Sequence, residues 1–365
     1  MRLSKNKINF FSKKKFIKKN QKKLINKLDK VLKSGIYTNR NQTKIFESKF
    51  AKFNNSKYCL AVNSGTSALH LALKSIGIKK NDEVIVPAIT FIATPAAVTY
   101  CEAKPIFVDI SKDNWLIDIN KIEKKITPKT KAILVVHLHG LMVDMVKIRR
   151  LSKKYKLNII EDASQAHGSK FLGKPPGHFS DAAVFSFYPT KSLGSFGEGG
   201  AVITNKKKIF NKIYNLRDWA KNKQDFNDIG FNYRMPEFIA TLLTESLKEL
   251  NEDLKKRILI AKYYNFNLGK KITKCIFNDQ KYLHSYYVCG IIVQKQKKLI
   301  KYLNKKKIET NNIYNYSLPF CKPFYNNKVK KSEYTNSLYF SKNNLALPTY
   351  PELNLKQVKY ICDCI

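Results

Sequence analysis

The chain has 365 residues, 44% of them hydrophobic and 12% aromatic, which is typical of a folded protein rather than a disordered one. It contains no run of about 18 apolar residues, so we predict no membrane insertion. The formal net charge is +41, from 68 Lys and Arg against 27 Asp and Glu. Only seven of these cations are arginine, the residue favoured for phosphate forks and base readout, and the lysines are spread along the whole chain. This pattern disfavours a lysine-rich nucleic-acid-binding protein and indicates solvated basic faces.

The cysteines and the N-terminus give little sign of export. Seven cysteines are scattered without any CxxC spacing, so we predict reduced thiols, no disulfide framework and no metal site. The first 21 residues are basic but lack the apolar middle region and the cleavage site of a signal peptide. These features predict a cytoplasmic protein.

The first half of the chain predicts alternating helices and strands. Residues 13–34 place apolar side chains at helical spacing and end at Gly35, and residues 46–53 predict a second, short helix. The stretch YCLAVNSGTSALHLALKSIGI then predicts a strand, a turn and an amphipathic helix. Short strands rich in Val, Ile and Phe follow, with loop or helical sequence between them: EVIVPAI, PIFVDI, KAILVVHL, LNIIEDA, AAVFSF and GGAVITN.

This alternation is typical of an α/β fold with a mostly parallel central sheet, whose binding sites lie at the carboxyl ends of the strands. After about residue 245 the pattern changes to a long helix, followed by strand–helix and strand–turn–helix patterns. We therefore predict a large domain over residues 1–249, including the N-terminal helical segment. A smaller C-terminal α+β domain is predicted over residues 250–365.

Polar residues follow three of the predicted strands. Gly65 and Thr66 lie at a strand-to-helix junction, where a helix start could hold a phosphate or simply carry an ordinary N-cap. Asp162 ends an apolar strand and could be a cap, a surface carboxylate or the partner of a protonated ring nitrogen. Lys191 follows a third strand and, taken alone, could be one more solvated lysine or a nucleophile.

Together, a phosphate cradle, a carboxylate and a lysine are the groups that pyridoxal 5′-phosphate (PLP) chemistry needs. The phosphate anchors the ring, Asp162 keeps the ring nitrogen protonated, and Lys191 holds the aldehyde as a Schiff base. Ser186, five residues before Lys191, is close enough to add a hydroxyl to the phosphate site. Phe91 offers a flat face to the ring.

Five blocks in the same order resemble the DegT/DnrJ/StrS aminotransferases, which are sugar aminotransferases of PLP fold type I. The resemblance extends from the Ser-Gly pair at residues 34–35 to LALPTYPELN near the end of the chain, and it implies that family's fold. The blocks are EVIVPAITFIAT, PIFVDI, EDASQAHGS, SFYPTKSLGSFGEGGAVITN and GFNYRMPEFIA.

The resemblance implies a role for individual residues. Lys191 corresponds to the lysine that binds the cofactor and moves the proton between substrate and cofactor. Asp162 corresponds to the partner of the pyridine nitrogen, and Gln165 to the contact with the phenolic oxygen. The residues that resemble the phosphate ligands are Gly65, Thr66 and Ser186.

The block GFNYRMPEFIA carries an implication about assembly. Asn232 matches an asparagine that reaches across a dimer interface to the neighbour's cofactor phosphate, so the resemblance implies a homodimer with a shared active site. Arg234 and Tyr188 are the implied substrate-side residues. In a later segment where the family usually has histidines, Ile313 and Pro319 occur instead, which leaves the sugar undetermined. We assign no catalytic role to the histidines of HLHG or QAHG.

The function implied is transfer of an amino group, with glutamate as donor, to a nucleotide-linked keto sugar for polysaccharide, lipopolysaccharide or glycan biosynthesis. A PLP-dependent sugar dehydratase of the same family is disfavoured, because it carries a histidine where this chain has Lys191. A non-catalytic family member is disfavoured by the complete Lys, Asp, Gln and Ser set.

Overall fold

The computed structural model describes residues 7–221, 225–226, 228–268, 272–274 and 279–365. The elements up to the end of the main sheet are α1 (Lys14–Ser34), α2 (Asn41–Phe53), β1 (Tyr58–Val62), α3 (Gly65–Ser75), β2 (Glu83–Pro87), α4 (Ala93–Tyr100), β3 (Lys104–Val108), α5 (Ile119–Ile122), β4 (Thr130–Val136), α6 (Met145–Tyr155), β5 (Asn158–Asp162), β6 (Lys170–Phe171), β7 (Ala182–Ser186) and β8 (Gly200–Thr204).

The remaining helices and strands are α7 (Lys207–Leu216), α8 (Glu237–Leu247), α9 (Leu250–Asn267), β9 (Thr273–Lys274), β10 (Tyr282–Leu283), β11 (Cys289–Ile292), α10 (Gln296–Lys305), α11 (Thr335–Asn343), β12 (Asn344–Leu347) and α12 (Leu355–Asp363). Short 3-10 turns lie at Glu123–Lys125, Leu138–Gly140, Leu318–Phe320 and Lys331–Tyr334.

In the described part of the chain, seven strands form the main sheet, in the order β1-β8-β7-β5-β4-β2-β3. The five strands from β7 to β3 pair in parallel, whereas β8 runs antiparallel to both of its neighbours. The predicted α/β class with a mostly parallel sheet is confirmed. Since β1 and β8 are antiparallel, and β8 and β7 are antiparallel, β1 ends at the same edge as β7.

Both faces of this sheet are covered, which explains the continuous apolar strands. On one face α3 and α4 bury residues such as Leu69 and Leu71 against the strands. On the other face α2 contributes Phe50, whose ring centre lies 5.0 Å from that of Phe185 in an edge-to-face contact. The sheet is therefore a rigid support for the loops at its carboxyl edge.

The C-terminal part has its own sheet, in which β11 lies between β12 and β9. Its apolar cluster includes Tyr264 of α9, Leu347 of β12 and Ile361 of α12. The predicted boundary at residue 249 falls immediately before α9, and the division into two domains stays a prediction. Among the described residues, no helix combines the length and the apolar character needed to cross a bilayer.

The start of α2 differs from the prediction. The helix begins at Asn41 rather than at residue 46, because Glu237 satisfies its first turn. The two carboxylate oxygens of Glu237 accept hydrogen bonds from the backbone N–H groups of Gln42, at 2.7 Å, and Thr43, at 3.1 Å. A carboxylate at a helix N-terminus stabilises the first turn, and this one comes from almost 200 residues away.

Candidate active site

A cavity of about 570 Å³ lies at the carboxyl edge of the main sheet, and we call it the strand-end cavity. It forms there because β1, β5 and β7 all end at this edge. Its walls include eight of the ten residues singled out in the sequence: Gly65, Thr66, Phe91, Asp162, Gln165, Ser186, Tyr188 and Lys191.

The start of α3 forms one end of the cavity. The Ser64 hydroxyl accepts a hydrogen bond from the backbone N–H of Ser67 at 3.0 Å, so Ser64 is the N-cap. The N–H groups of Gly65 and Thr66 belong to the first turn, which has no preceding carbonyl to bond. A β-carbon at residue 65 would lie 2.7 Å from the β-carbon of Ser186, so glycine lets the hydroxyl of Ser186 approach the helix start. N–H groups, a helix dipole and hydroxyls fit the phosphate of PLP.

Asp162 is the last residue of β5 and is only 5% exposed. One carboxylate oxygen accepts a hydrogen bond from the Ser164 N–H at 3.1 Å, and the other accepts from the Thr94 hydroxyl at 2.9 Å. The Thr94 hydroxyl also lies 2.9 Å from that of Thr90. The carboxylate is therefore held in one orientation at the cavity wall, which fits a partner for a protonated ring nitrogen and does not fit a surface carboxylate.

Gln165 is oriented by bonds at both ends of its amide. Its Oε1 accepts a hydrogen bond from the backbone N–H of His139 at 2.6 Å. Its Nε2 donates to the hydroxyl of Tyr314 at 3.0 Å. Since an amide nitrogen carries two N–H groups, one remains for a ligand in the cavity.

Lys191 lies in the tight loop between β7 and β8. Its backbone N–H donates to the Tyr188 carbonyl at 2.9 Å, and Gly194 closes the loop because a β-carbon there would overlap the Pro189 carbonyl. The Lys191 ammonium lies 4.9 Å from the ring centre of Tyr287. No carboxylate among the described residues forms an ion pair with Lys191, so its nitrogen is available to a ligand in the cavity.

Two aromatic residues stand at the mouth of the cavity. Phe91 follows β2 and is 54% exposed, and its ring centre lies 6.1 Å from that of Tyr314. Tyr188 precedes Lys191 and is 47% exposed. A large exposed aromatic face beside a cavity is suited to cover a planar ring.

The histidines near the site are buried structural residues. His167 packs against Phe185, with ring centres 5.3 Å apart, and burial together with the nearby charge of Lys191 lowers its pKa to about 3. His137 lies 2.7 Å from the carboxylate of Glu161, and both side chains are fully buried. The sequence interpretation assigned no catalytic role to these histidines, and this stays a prediction.

Asn232 and Arg234 do not line the strand-end cavity of their own chain. They lie beside the end of β1, where the Asn63 amide donates to the Asn232 carbonyl at 3.2 Å. The Arg234 guanidinium donates to the Asn232 side chain at 2.8 Å and lies 3.3 Å from the carboxylate of Asp218. Their predicted roles at a neighbour's cofactor and at the substrate mouth stay predictions.

Sequence reasoning missed three residues of the site. Thr94, which holds Asp162, lies within the block PAITFIAT, and its hydroxyl beyond a strand end was a signal that could have been used. Tyr287 and Tyr314 come from the C-terminal part, in the aromatic stretches SYYVCG and IYNYS. No local pattern connects either tyrosine to Lys191.

The comparisons with known proteins agree with this geometry. The DegT/DnrJ/EryC1/StrS aminotransferase family matches residues 18–365. GDP-perosamine synthase of Escherichia coli O157:H7 is 37% identical over 327 residues, covering 88% of each chain. The structure of Streptomyces venezuelae DesV in complex with a ketimine intermediate has a TM-score of 0.95 at 31% identity, covering 98% of this chain and 97% of that one.

A further solved structure bears on the cofactor. NtdA of Bacillus subtilis, with bound cofactor PMP, has a TM-score of 0.91 at 28% identity and covers 99% of this chain and 85% of that one. The predicted PLP fold and the predicted cofactor are thereby confirmed. The chain belongs to the DegT/DnrJ/EryC1/StrS aminotransferase family and is a PLP-dependent aminotransferase.

Proposed function

We propose that this aminotransferase moves an amino group from glutamate to the keto carbon of a nucleotide-linked sugar. The observation that carries the proposal is the convergence of Lys191, Asp162 and the start of α3 in one cavity. The 37% identity to a GDP-perosamine synthase supports a nucleotide-linked sugar as the amino acceptor. When bound, PLP supplies an electron-accepting ring that carries the amino group between the two substrates.

The residues at the sheet edge hold and orient the cofactor. The N–H groups of Gly65 and Thr66 and the hydroxyl of Ser186 bind its phosphate. The carboxylate of Asp162 keeps the proton on the ring nitrogen, since an adjacent anion favours the charged form of that nitrogen. The free N–H of Gln165 donates to the phenolic oxygen, and the exposed face of Phe91 covers the ring.

Lys191 has two tasks in this proposal. Its nitrogen would hold the cofactor covalently, and its amine would move a proton at the substrate carbon. The ring of Tyr287 lies beside it, and in the described part of the chain no carboxylate forms an ion pair with the lysine nitrogen. A lysine amine placed at the substrate carbon can act as a general base and then as a general acid.

Part of the cavity wall is suited to a sugar. Asn311 and Asn312 line it, and their side-chain amides offer uncharged donors and acceptors to sugar hydroxyls. Tyr188 at the mouth of the cavity and Arg234, which does not line the cavity of its own chain, are the proposed contacts of the substrate. The net charge of +41 raises the local concentration of an anionic sugar nucleotide.

We infer a homodimer with a shared active site from the segment around Asn232. Large apolar side chains near it are exposed, with Trp219 at 43% and Ile229 at 86%. Exposed apolar surface of this kind is typical of a contact with another protein chain. In the proposed dimer, Asn232 of each chain reaches the partner's cofactor phosphate.

We also propose a cytoplasmic location and a role in polysaccharide, lipopolysaccharide or glycan biosynthesis. Cys59 and Cys101 are free thiols, which is typical of a reducing compartment. An amino sugar carried on a nucleotide is an activated precursor for such polymers.

The first test identifies the residue that carries the cofactor. The PLP-loaded enzyme is reduced with borohydride and digested, and the pyridoxyl group is expected on the peptide that contains Lys191. Its appearance on another peptide, or on none, refutes the proposed mechanism.

The second test identifies the reaction. Candidate keto-sugar nucleotides are incubated with glutamate and followed by mass spectrometry. A transaminase replaces the carbonyl oxygen by hydrogen and an amino group and forms 2-oxoglutarate, whereas a dehydratase gives loss of water. A non-catalytic protein changes none of the substrates.

A further inference from the structure

We propose that Tyr314 is a cofactor-binding residue, whose hydroxyl donates a second hydrogen bond to the phenolic oxygen of PLP, beside the bond from Gln165. The inference rests on the proposed contact between Gln165 and that oxygen. Tyr314 lies 149 positions after Gln165, in a part of the chain to which the sequence assigned no cofactor contact.

The direction of the bond between the two residues follows from the backbone. Gln165 is only 4% exposed, and its Oε1 accepts from the N–H of His139 at 2.6 Å. A backbone N–H can only donate, so this side of the amide must be the oxygen. The atom that lies 3.0 Å from the Tyr314 hydroxyl is therefore Nε2, and Gln165 is the donor.

The proton of Tyr314 consequently has another destination. The hydroxyl oxygen of Tyr314 accepts from Gln165, so its own proton does not take part in that bond. No acceptor for this proton lies within hydrogen-bonding distance in the described part of the chain, and both side chains line the strand-end cavity. A ligand in the cavity that carries an acceptor atom can therefore take a hydrogen bond from the hydroxyl of Tyr314.

The surroundings keep Tyr314 in its protonated form. Burial raises the pKa of Tyr314 well above its ordinary value, and the nearby Tyr287, Tyr316 and Asp162 raise it further. Among the described residues that line the cavity, Lys191 is the one cation, and it lies beside the ring of Tyr287. Tyr314 therefore remains a hydrogen-bond donor throughout the range in which a PLP enzyme is assayed.

Two donors on one phenolic oxygen have a measurable consequence. They favour the anionic form of that oxygen, and the anion in turn is conjugated to the nitrogen that joins Lys191 to the ring. Each donor therefore lowers the pH at which this nitrogen loses its proton. Removal of one hydrogen bond to a charged group is expected to raise that pH midpoint by about one to two pH units.

The experiment is a pH titration of the absorbance of the PLP-loaded enzyme. Tyr314→Phe is expected to retain PLP and to show the raised midpoint. The matched control is Tyr316→Phe, because Tyr316 stacks on Tyr314 with ring centres 5.5 Å apart but does not line the cavity. The control is expected to keep the midpoint of the unmodified enzyme.

An unchanged midpoint in PLP-loaded Tyr314→Phe, or an equal shift in Tyr316→Phe, overturns the inference. If Tyr314→Phe does not fold, 3-fluorotyrosine is placed at position 314. Its hydroxyl is more acidic and therefore a stronger hydrogen-bond donor, so the pH midpoint should be lower than in the unmodified enzyme. An unchanged or raised midpoint in this protein also overturns the inference. The failure of the proposed function would be distinct, because the pyridoxyl group would then not be found on Lys191.

Discussion

Two cavities adjoin the loop that contains Lys191 and Ser192, and each has at least one lysine in its wall. The strand-end cavity contains Lys191. The other, of about 230 Å³, which we call the rear cavity, lies between the start of α1 and the first part of α9 and contains Lys13. Burial, followed by the charge of Arg257, lowers the pKa of Lys13 to about 8.

A lowered pKa does not make Lys13 a candidate nucleophile. Its ammonium donates a hydrogen bond to the Gly194 carbonyl, and the start of α1 beside it is already occupied by Glu352, whose carboxylate accepts from the Phe16 N–H at 2.9 Å. Lys191 differs in its neighbours, since the start of α3, Asp162 and Gln165 share its cavity. The comparison teaches that the groups around a lysine, and not its basicity alone, determine whether it can serve a cofactor.

The most severe test of this comparison replaces each lysine. Lys191→Ala should reduce kcat by about 10⁴-fold or more, because proton transfer alone contributes about 10²–10⁴-fold and the covalent attachment is lost as well. Lys13→Gln removes the charge, keeps a hydrogen-bonding side chain that is one atom shorter, and should leave kcat within about tenfold, since among the described residues the Lys13 ammonium hydrogen-bonds only a backbone carbonyl. Steady-state rates with glutamate and a keto-sugar nucleotide measure both. Equal losses in the two variants would contradict the assignment.

The strand-end cavity was largely predictable because its residues lie at strand ends. Parallel strands end at one edge of a sheet, so Asp162, the last residue of β5, and Ser186, the last residue of β7, had to be neighbours once the fold was known. The segment at the start of α3 could carry an ordinary N-cap or bind a phosphate. Ser64 is the N-cap in the structure, and this leaves the N–H groups of Gly65 and Thr66 for a phosphate.

The remaining contacts join residues that are far apart in sequence. Thr94 reaches Asp162 across 68 positions, and Glu237 reaches the first turn of α2 across almost 200. Tyr314 comes from the C-terminal part of the chain. Such contacts produce no signal in the periodicity or the local composition of the sequence, because they depend on how separate elements pack. The sequence therefore indicated eight residues that line the strand-end cavity and missed contacts, such as that of Thr94 with Asp162, that hold them in place.

A smaller change tests the phosphate end of the strand-end cavity. In Gly65→Ala the new β-carbon would lie 2.7 Å from that of Ser186, so either the helix start or Ser186 must shift. Overpacking of this kind costs about 1–3 kcal/mol, and the Kd of PLP should rise by about 10- to 100-fold.

The matched control for this change is Gly197→Ala, in the same loop as Lys191. The nearest atom to its added β-carbon is Ile239 Cδ1, at an ordinary 3.5 Å, and the Kd of PLP should stay within about twofold of the unmodified value. Titration of the cofactor-free proteins with PLP measures both constants. A Gly65→Ala protein with unchanged PLP affinity would show that the helix start does not bind the phosphate.

The smallest expected effect concerns the rear cavity and is one of stability. The pKa of Lys13 is lowered from 10.5 to about 8, so between these pH values the unfolded chain binds a proton at Lys13 that the folded chain has released. The free energy of unfolding therefore rises with pH across this window, and below about pH 8 the contribution of Lys13 no longer changes with pH. Because the side chain is partly exposed, the gain is about 1–2 kcal/mol rather than the full value of the shift.

In Lys13→Met this contribution to the pH dependence of the free energy of unfolding is absent, and urea unfolding at neutral and alkaline pH measures the difference. The same slope in both proteins would mean that the ammonium of Lys13 is solvated, in which case the rear cavity would not differ from an ordinary lysine-bearing surface.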